Sequence, residues 1–204
     1  DAGSAVLGCA FDVVDGGAIG RLVEPDDVEG LASLAGSKYM QSHVSDSLAD
    51  AVRHEGGLLI TGTPCQVAAA RNLLGKRDNA VYVDLICHGV PSRHLYESYK
   101  GWLSAEYDID PSRACTIFRY KPKGWRERYI YTTDDKREIC LHQRHDPYFL
   151  MFEAGQCYAG CCYECPWRTT SAADVRLGDY WGPRYKGDRT GVSMVLALTE
   201  RGEE

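Results

Sequence analysis

Two consecutive strand–turn–helix units limit what this chain can fold into more than any other feature. Leu58-Leu59-Ile60-Thr61 is a short apolar strand broken by the turn Gly62-Thr63-Pro64-Cys65. A helix from about Gln66 to Leu74 follows, with Val67, Ala70 and Leu74 on one face and Gly75 as its stop. The pattern then repeats. Val81 to Ile86 is a strand, Cys87-His88-Gly89-Val90-Pro91 a turn, and Ser92 caps a helix carrying Leu95, Tyr99, Trp102 and Leu103. Units in this order predict neighbouring parallel strands. Cys65 and Cys87 then fall just past the carboxyl ends of strands about 5 Å apart. That edge is where open α/β sheets bind ligands.

The flanking segments extend this core. Ala5 to Phe11 reads as a buried strand, and Ala18 to Val23 returns beside it across Asp15-Gly16-Gly17. Cys9, inside the first run, reads as a small core residue. The loop Gly36-Ser37-Lys38-Tyr39-Met40-Gln41-Ser42 precedes a helix with Val44, Leu48 and Val52 at spacing four, closed by Gly56-Gly57. A small-residue loop with a Lys at a helix start can hold an anion, although a plain cap is the commoner use. From Cys115 to Leu141 three alternating runs (116–120, 129–132 and 138–141) predict an antiparallel insertion. Trp125, Arg126 and Arg128 lie in its first connection, as a solvated hairpin or as a cationic, aromatic surface for an acidic cofactor or partner. Asp146-Pro147 opens a short helix ending at Gly155. Ala173 to Leu177 and Val192 to Leu198 read as closing strands around Gly178-Asp179-Tyr180-Trp181-Gly182.

The fold expected is mixed α/β: a parallel-sheet core, an antiparallel β insertion and a cysteine-rich loop. It divides into a core over 1–114, the insertion over 115–145, and the loop with its return strands over 146–204. These form one compact domain. With no initiator Met, and stopping straight after a strand-like run, the sequence reads as a fragment truncated at both ends.

Cys157 to Cys165 concentrates four of the nine cysteines in nine residues, with Pro166 next. A chain of 204 residues needs no disulfide staples, since it can bury roughly 70% of its unfolded surface. Clustered thiols in odd number suit metal binding in a reducing, cytoplasmic setting. Cys162 and Cys165 place two thiolates on one centre; Cys65 and Cys87 would add two, with Cys157 and Cys161 as substitutes. Four thiolates suit tetrahedral zinc or an iron–sulfur cluster, and spacing leaves both open. Single ligands arriving from strand ends fit a cubane better, and a Pro after a ligating Cys resembles ferredoxin-type runs. Cys115 and Cys140 have no ligand spacing and read as structural. A formal charge of -6 without a Lys/Arg cluster argues against nucleic acid. No apolar run approaches the roughly 18 residues of a membrane span.

The segments GSKYMQS, GTPCQVAAARNLL, VDLICHGVPS, FRYKPKGW, CYECPWRTTSAADVRLGDYWG and GVSMVLALTERG, in order over nearly the whole chain, closely resemble the coenzyme F-420 (8-hydroxy-5-deazaflavin) hydrogenase/dehydrogenase beta-subunit family. The resemblance implies an FAD-containing iron–sulfur oxidoreductase subunit. It would pass electrons between a 4Fe–4S cluster on Cys65, Cys87, Cys162 and Cys165, the flavin, and a two-electron acceptor such as the deazaflavin. Lys38, Gln41, Ser42, Thr63, Gln66 and His88 would line the flavin site, with Lys38 and His88 as the catalytic candidates. A ferredoxin-like domain or hydrogenase/dehydrogenase subunits would be the partners, within a possible oligomer. The family's amino-terminal ferredoxin-like segment and its Ser-Gly-Gly stretch are not present in this sequence. The alternatives are a zinc-stabilised, non-catalytic binding or assembly module, or an electron-transfer partner in a polysaccharide-related pathway.

Overall fold

A computed structural model describes residues 3–14 and 16–204. The opening Asp1-Ala2 and the Asp15 of the first expected turn lie outside the described residues. β1 (Ala5–Asp12) and β2 (Gly17–Val23) form the antiparallel pair expected, with Val6 opposite Val23 and Asp12 opposite Gly17. α1 (Val28–Leu34) follows, then β3 (Ser42–His43) and α2 (Ser45–Arg53). The first strand–turn–helix unit is β4 (Leu58–Gly62) and α3 (Pro64–Leu74); Gly75, with φ of 63°, ends the helix. The second is β5 (Ala80–Leu85) and α4 (Arg93–Tyr107), with Ser92 at the N-cap.

β6 (Cys115–Tyr120), β7 (Tyr129–Thr133) and β8 (Glu138–His142) make a separate three-stranded antiparallel sheet. α5 (Pro147–Glu153) starts at Asp146, whose carboxylate accepts the Phe149 N–H at 2.8 Å. The chain closes with β9 (Val175–Asp179), β10 (Ser193–Ala197) and α6 (Glu200–Glu203).

The main sheet has seven strands in the order β10-β9-β5-β4-β1-β2-β3. Its centre is parallel: β1 with β4, β4 with β5, and β5 with β9. The two predicted units are therefore adjacent and parallel, and both of their turns lie at one edge. Packed against α3, Leu7, Leu58, Ile60, Val67, Ala70 and Tyr82 form one apolar core. A second joins the insertion to α4 and α5 through Tyr96, Tyr99, Leu103, Phe118, Ile130, Tyr148 and Phe149. Among the described residues no helix is long and apolar enough to cross a membrane.

The face of α2 that packs inward is shifted from the one its Val44, Leu48, Val52 spacing predicts. Leu48 packs against the core as expected, but Val52 is half exposed, Val44 is the N-cap, and the fully buried positions are Ser47 and Ala51. Backbone proximity explains the choice. A Cβ on Gly20 of β2 would collide with Ser47 Oγ, so only small side chains let helix and strand approach. α1, not expected from the sequence, buries no residue and is held by its cap, Asp27 accepting the Gly30 N–H at 2.8 Å.

Candidate functional site

The carboxyl edge of the parallel strands gathers the cysteines singled out above. Cys65 lies in the first turn of α3, and Thr63 Oγ1 is 3.3 Å from its sulfur. Cys87 follows β5. Burial pushes its thiol up from the ordinary range and the Gly89 N–H bond opposes this, while Cys65 and Cys165 are close enough to raise it further. Burial also raises the Cys162 thiol; the Val90 N–H lowers it, and Cys161 and Cys87 act as charged neighbours. Cys87 is thus the common neighbour, with Cys65, Cys165 and Cys162 each close enough to interact with it electrostatically. All nine cysteines are free thiols.

The cysteine loop is tied to the turn after β5 by main-chain bonds. Ser92 N–H donates to Cys157 O at 2.9 Å, Ala159 N–H to Val90 O at 2.9 Å, and Pro91 bridges to Tyr158. Arg168 donates to Cys162 O at 2.6 Å, and its positive charge favours the Cys87 thiolate. Among the described residues no three His, Cys, Asp or Glu are grouped so as to hold one metal ion. A tetrahedral zinc site would need sulfurs about 3.8 Å apart around bonds of about 2.3 Å. A donor set of thiols, with main-chain N–H groups bonding two of the sulfurs, suits tetrahedral zinc and an iron–sulfur centre alike.

Beside the thiols stands an aromatic shelf that the sequence did not reveal. Phe152 stacks with Tyr39 at 4.8 Å and with His88 at 4.9 Å between ring centroids. Tyr39 comes from the loop before α2, Phe152 from α5 and His88 from the turn after β5, so only tertiary packing brings them together. His88 Nδ1 is 2.5 Å from Tyr158 OH.

The residues expected around a flavin divide into two groups. Gln66 Oε1 accepts from Thr63 N and Thr63 Oγ1, and its Nε2 donates to Ser42 Oγ at 2.7 Å. Thr63, Gln66 and Ser42 therefore form one network linking the α3 turn to β3. Lys38 points elsewhere. Its ammonium donates to Ser33 O, Leu34 O and Ala35 O at 3.0, 3.0 and 2.7 Å, closing the carboxyl end of α1. Burial lowers its pKa, opposed by the nearby Cys9 thiol. Gln41 is exposed. Cys9 is partly buried and packs against the second core, as expected of a small core residue, with Lys38 and Ser42 beside it.

The first connection of the insertion is not a solvated hairpin. Trp125 is 2% exposed, and its Nε1 donates to Asp188 O at 3.1 Å. Arg126 lies over Trp125 and Trp181 at 4.9 and 5.9 Å; Arg128 lies over Phe149 and Trp181 at 4.8 and 5.9 Å. The buried Nε and Nη2 of Arg126 have no hydrogen-bond partner and meet aromatic faces instead. Arg119 pairs with Asp179 at 2.7 Å, bringing the insertion to the carboxyl end of β9. This cationic, aromatic patch continues from the shelf through Phe149, which meets Phe152 edge-on.

The fold is matched at a TM-score of 0.61 by a chain of the F420-reducing NiFe hydrogenase complex from Methanosarcina barkeri, described in a xenon derivative. The two are 16% identical; the match covers 98% of the present chain and 64% of the other. No curated protein matches the sequence. The family model for the carboxyl-terminal part of the coenzyme F420 hydrogenase/dehydrogenase beta subunit matches residues 56–204, which hold both strand–turn–helix units, the insertion and the cysteine loop. The chain therefore belongs to the coenzyme F420 hydrogenase/dehydrogenase beta-subunit family.

Proposed function

We propose that the chain is the redox core of an iron–sulfur flavoprotein. Cys65, Cys87, Cys162 and Cys165 would hold a 4Fe–4S cluster. Gln41, Ser42, Thr63, Gln66 and His88 would line the flavin, with Lys38 setting their loop. When bound, these groups supply single-electron transfer and its conversion to hydride chemistry, with a deazaflavin such as coenzyme F420 as the two-electron partner. The observation that carries the reading is the approach of Cys65, Cys162 and Cys165 to Cys87 at the carboxyl edge of the parallel strands.

The chain's own residues have definable tasks in this reading. The N–H groups of Gly89 and Val90 stabilise charge on Cys87 and Cys162. The stacked Tyr39, Phe152 and His88 rings brace the turn that carries Cys87. His88 is oriented by Tyr158 and has Nε2 without a protein partner among the described residues, which suits it to hold or release a proton. Arg126 suits the acidic part of a cofactor or partner, whereas Arg128 is already paired with Glu153 at 2.9 Å. Hydrogenase or dehydrogenase subunits, or a ferredoxin-like domain, would exchange electrons with the thiol edge. A reducing, cytoplasmic compartment would keep the cysteines as ligands.

The test is anaerobic preparation of the full-length protein. Brown absorption, matched iron and acid-labile sulfide, and FAD released on denaturation are expected, with Cys162→Ser losing the iron. Stoichiometric zinc, no iron and no yellow chromophore would overturn the proposal.

A further inference from the structure

A cavity of about 510 Å³ opens at the opposite edge of the parallel sheet, between the carboxyl end of α3, the start of β5 and α6. This size is within the range of small-molecule sites. Tyr82 of β5 lines it. The residue is 2% exposed, yet its hydroxyl has no hydrogen-bond partner. A buried O–H without an acceptor is costly, so the position calls for an oxygen to fill it.

The charges around that hydroxyl specify what kind of oxygen. Arg71 stacks on the Tyr82 ring at 4.7 Å and pairs with Asp174 at 3.1 Å. Asp174 accepts from Arg71, Thr199 Oγ1 and the Tyr82 N–H, and its charge offsets that of Arg71, which leaves Arg77 and Arg201 as the guanidiniums here without a carboxylate partner among the described residues. Arg77 donates to the carbonyls of Ala51, His54 and Gly56, and Arg201 to those of Asp78 and Ala80. Carbonyls hold a guanidinium in place without cancelling its charge. Lys76 adds a further cation at the exposed rim, against the carboxylates of Asp78 and Glu200.

We propose that this cavity is a second ligand site, taking a small phosphate- or carboxylate-bearing molecule whose oxyanion accepts the Tyr82 hydroxyl between Arg71, Arg77 and Arg201. It stands apart from the thiol edge and does not depend on the redox reading.

Calorimetric titration of the full-length protein with inorganic pyrophosphate, and separately with citrate, tests it. Saturable one-to-one binding of either probe is expected, and which one binds names the class of oxyanion. Tyr82→Phe keeps the ring and removes only the donor, so it should fold normally and bind about tenfold more weakly. Lys76→Gln should weaken binding and flatten its dependence on salt. Absence of saturable binding with both probes, or equal affinity in wild type and both variants, overturns the proposal. The iron content of the protein is unchanged in either case.

Discussion

Asp84 of β5 and Arg176 of β9 are register partners joined by a two-pronged ion pair, Nε to Oδ1 and Nη2 to Oδ2 each at 2.7 Å. Asp84 is fully buried and also accepts from Ser171 Oγ at 2.7 Å. Arg176 reaches back to Thr170 O at 2.8 Å. One pair thus fixes β9 beside β5 and anchors the end of the cysteine loop close to Cys87. Asp84→Ala leaves a buried guanidinium unpaired, and urea unfolding should show a loss of about 3–5 kcal/mol. Arg176→Lys keeps the charge but not the fork, so it should fall between wild type and Asp84→Ala. Lower iron content in Arg176→Lys than in wild type would trace the loop's position to this pair.

Gln66 is the joint between the α3 turn and the loop before α2. Gln66→Leu removes three bonds, two accepted from Thr63 and one donated to Ser42, worth about 3 kcal/mol together at about 1 kcal/mol per net hydrogen bond. Ser42→Ala breaks only the last and should cost about 1 kcal/mol. Flavin content measured on anaerobic material should drop further in Gln66→Leu than in Ser42→Ala, with iron retained in both. Equal flavin in all three proteins would remove Gln66 from the proposed flavin wall.

What could be read from the residues alone follows from locality. The units at 58–74 and 80–107 carry their own strand, turn and cap chemistry within short stretches of chain, and both appear as expected. So do the insertion strands and the Asp146 cap. The place of β9 beside β5 depends on Asp84 finding Arg176 across nearly half of the chain, which no local pattern encodes. The aromatic shelf was hidden for the same reason. Lys38 illustrates a different limit. A Lys in a small-residue loop suggests an anion site, but here the nearer acceptors are the open carbonyls of α1, a seven-residue helix too short to show a periodic pattern. The cysteines were legible as a group because their spacing has few structural uses; which of them approach one another depends on contacts distant in sequence.

Asp146 links α5 to α4, capping one helix while accepting the buried Tyr99 hydroxyl at 2.6 Å. Asp146→Ala removes the cap, about 1 kcal/mol, and strands that hydroxyl, about 1–3 kcal/mol more. Asp146→Asn can still cap and still face Tyr99, so chemical denaturation should place it much nearer wild type. Because α5 carries Phe152, the alanine variant should also loosen His88, visible as a changed ring signal in proton NMR.

Acid should act on the insertion through Asp134. Its carboxylate accepts the N–H groups of Asp110 at 2.8 Å, Arg137 at 2.7 Å and Lys136 at 3.0 Å, and these bonds lower its pKa to about 2. The folded value lies below the ordinary 3.8, so the unfolded chain takes up the proton first as pH falls. The stabilisation is present above pH 3.8 and is lost between there and pH 2. Asp134→Asn keeps the shape but carries no charge to lose. It should be less stable than wild type at neutral pH, and the gap between the two should close as pH falls through that window. Denaturant midpoints followed from about pH 5 down to about pH 2 measure this, at constant ionic strength. A gap that stays constant across the range would mean that the carboxylate's charge does not hold the β7–β8 turn against the end of α4.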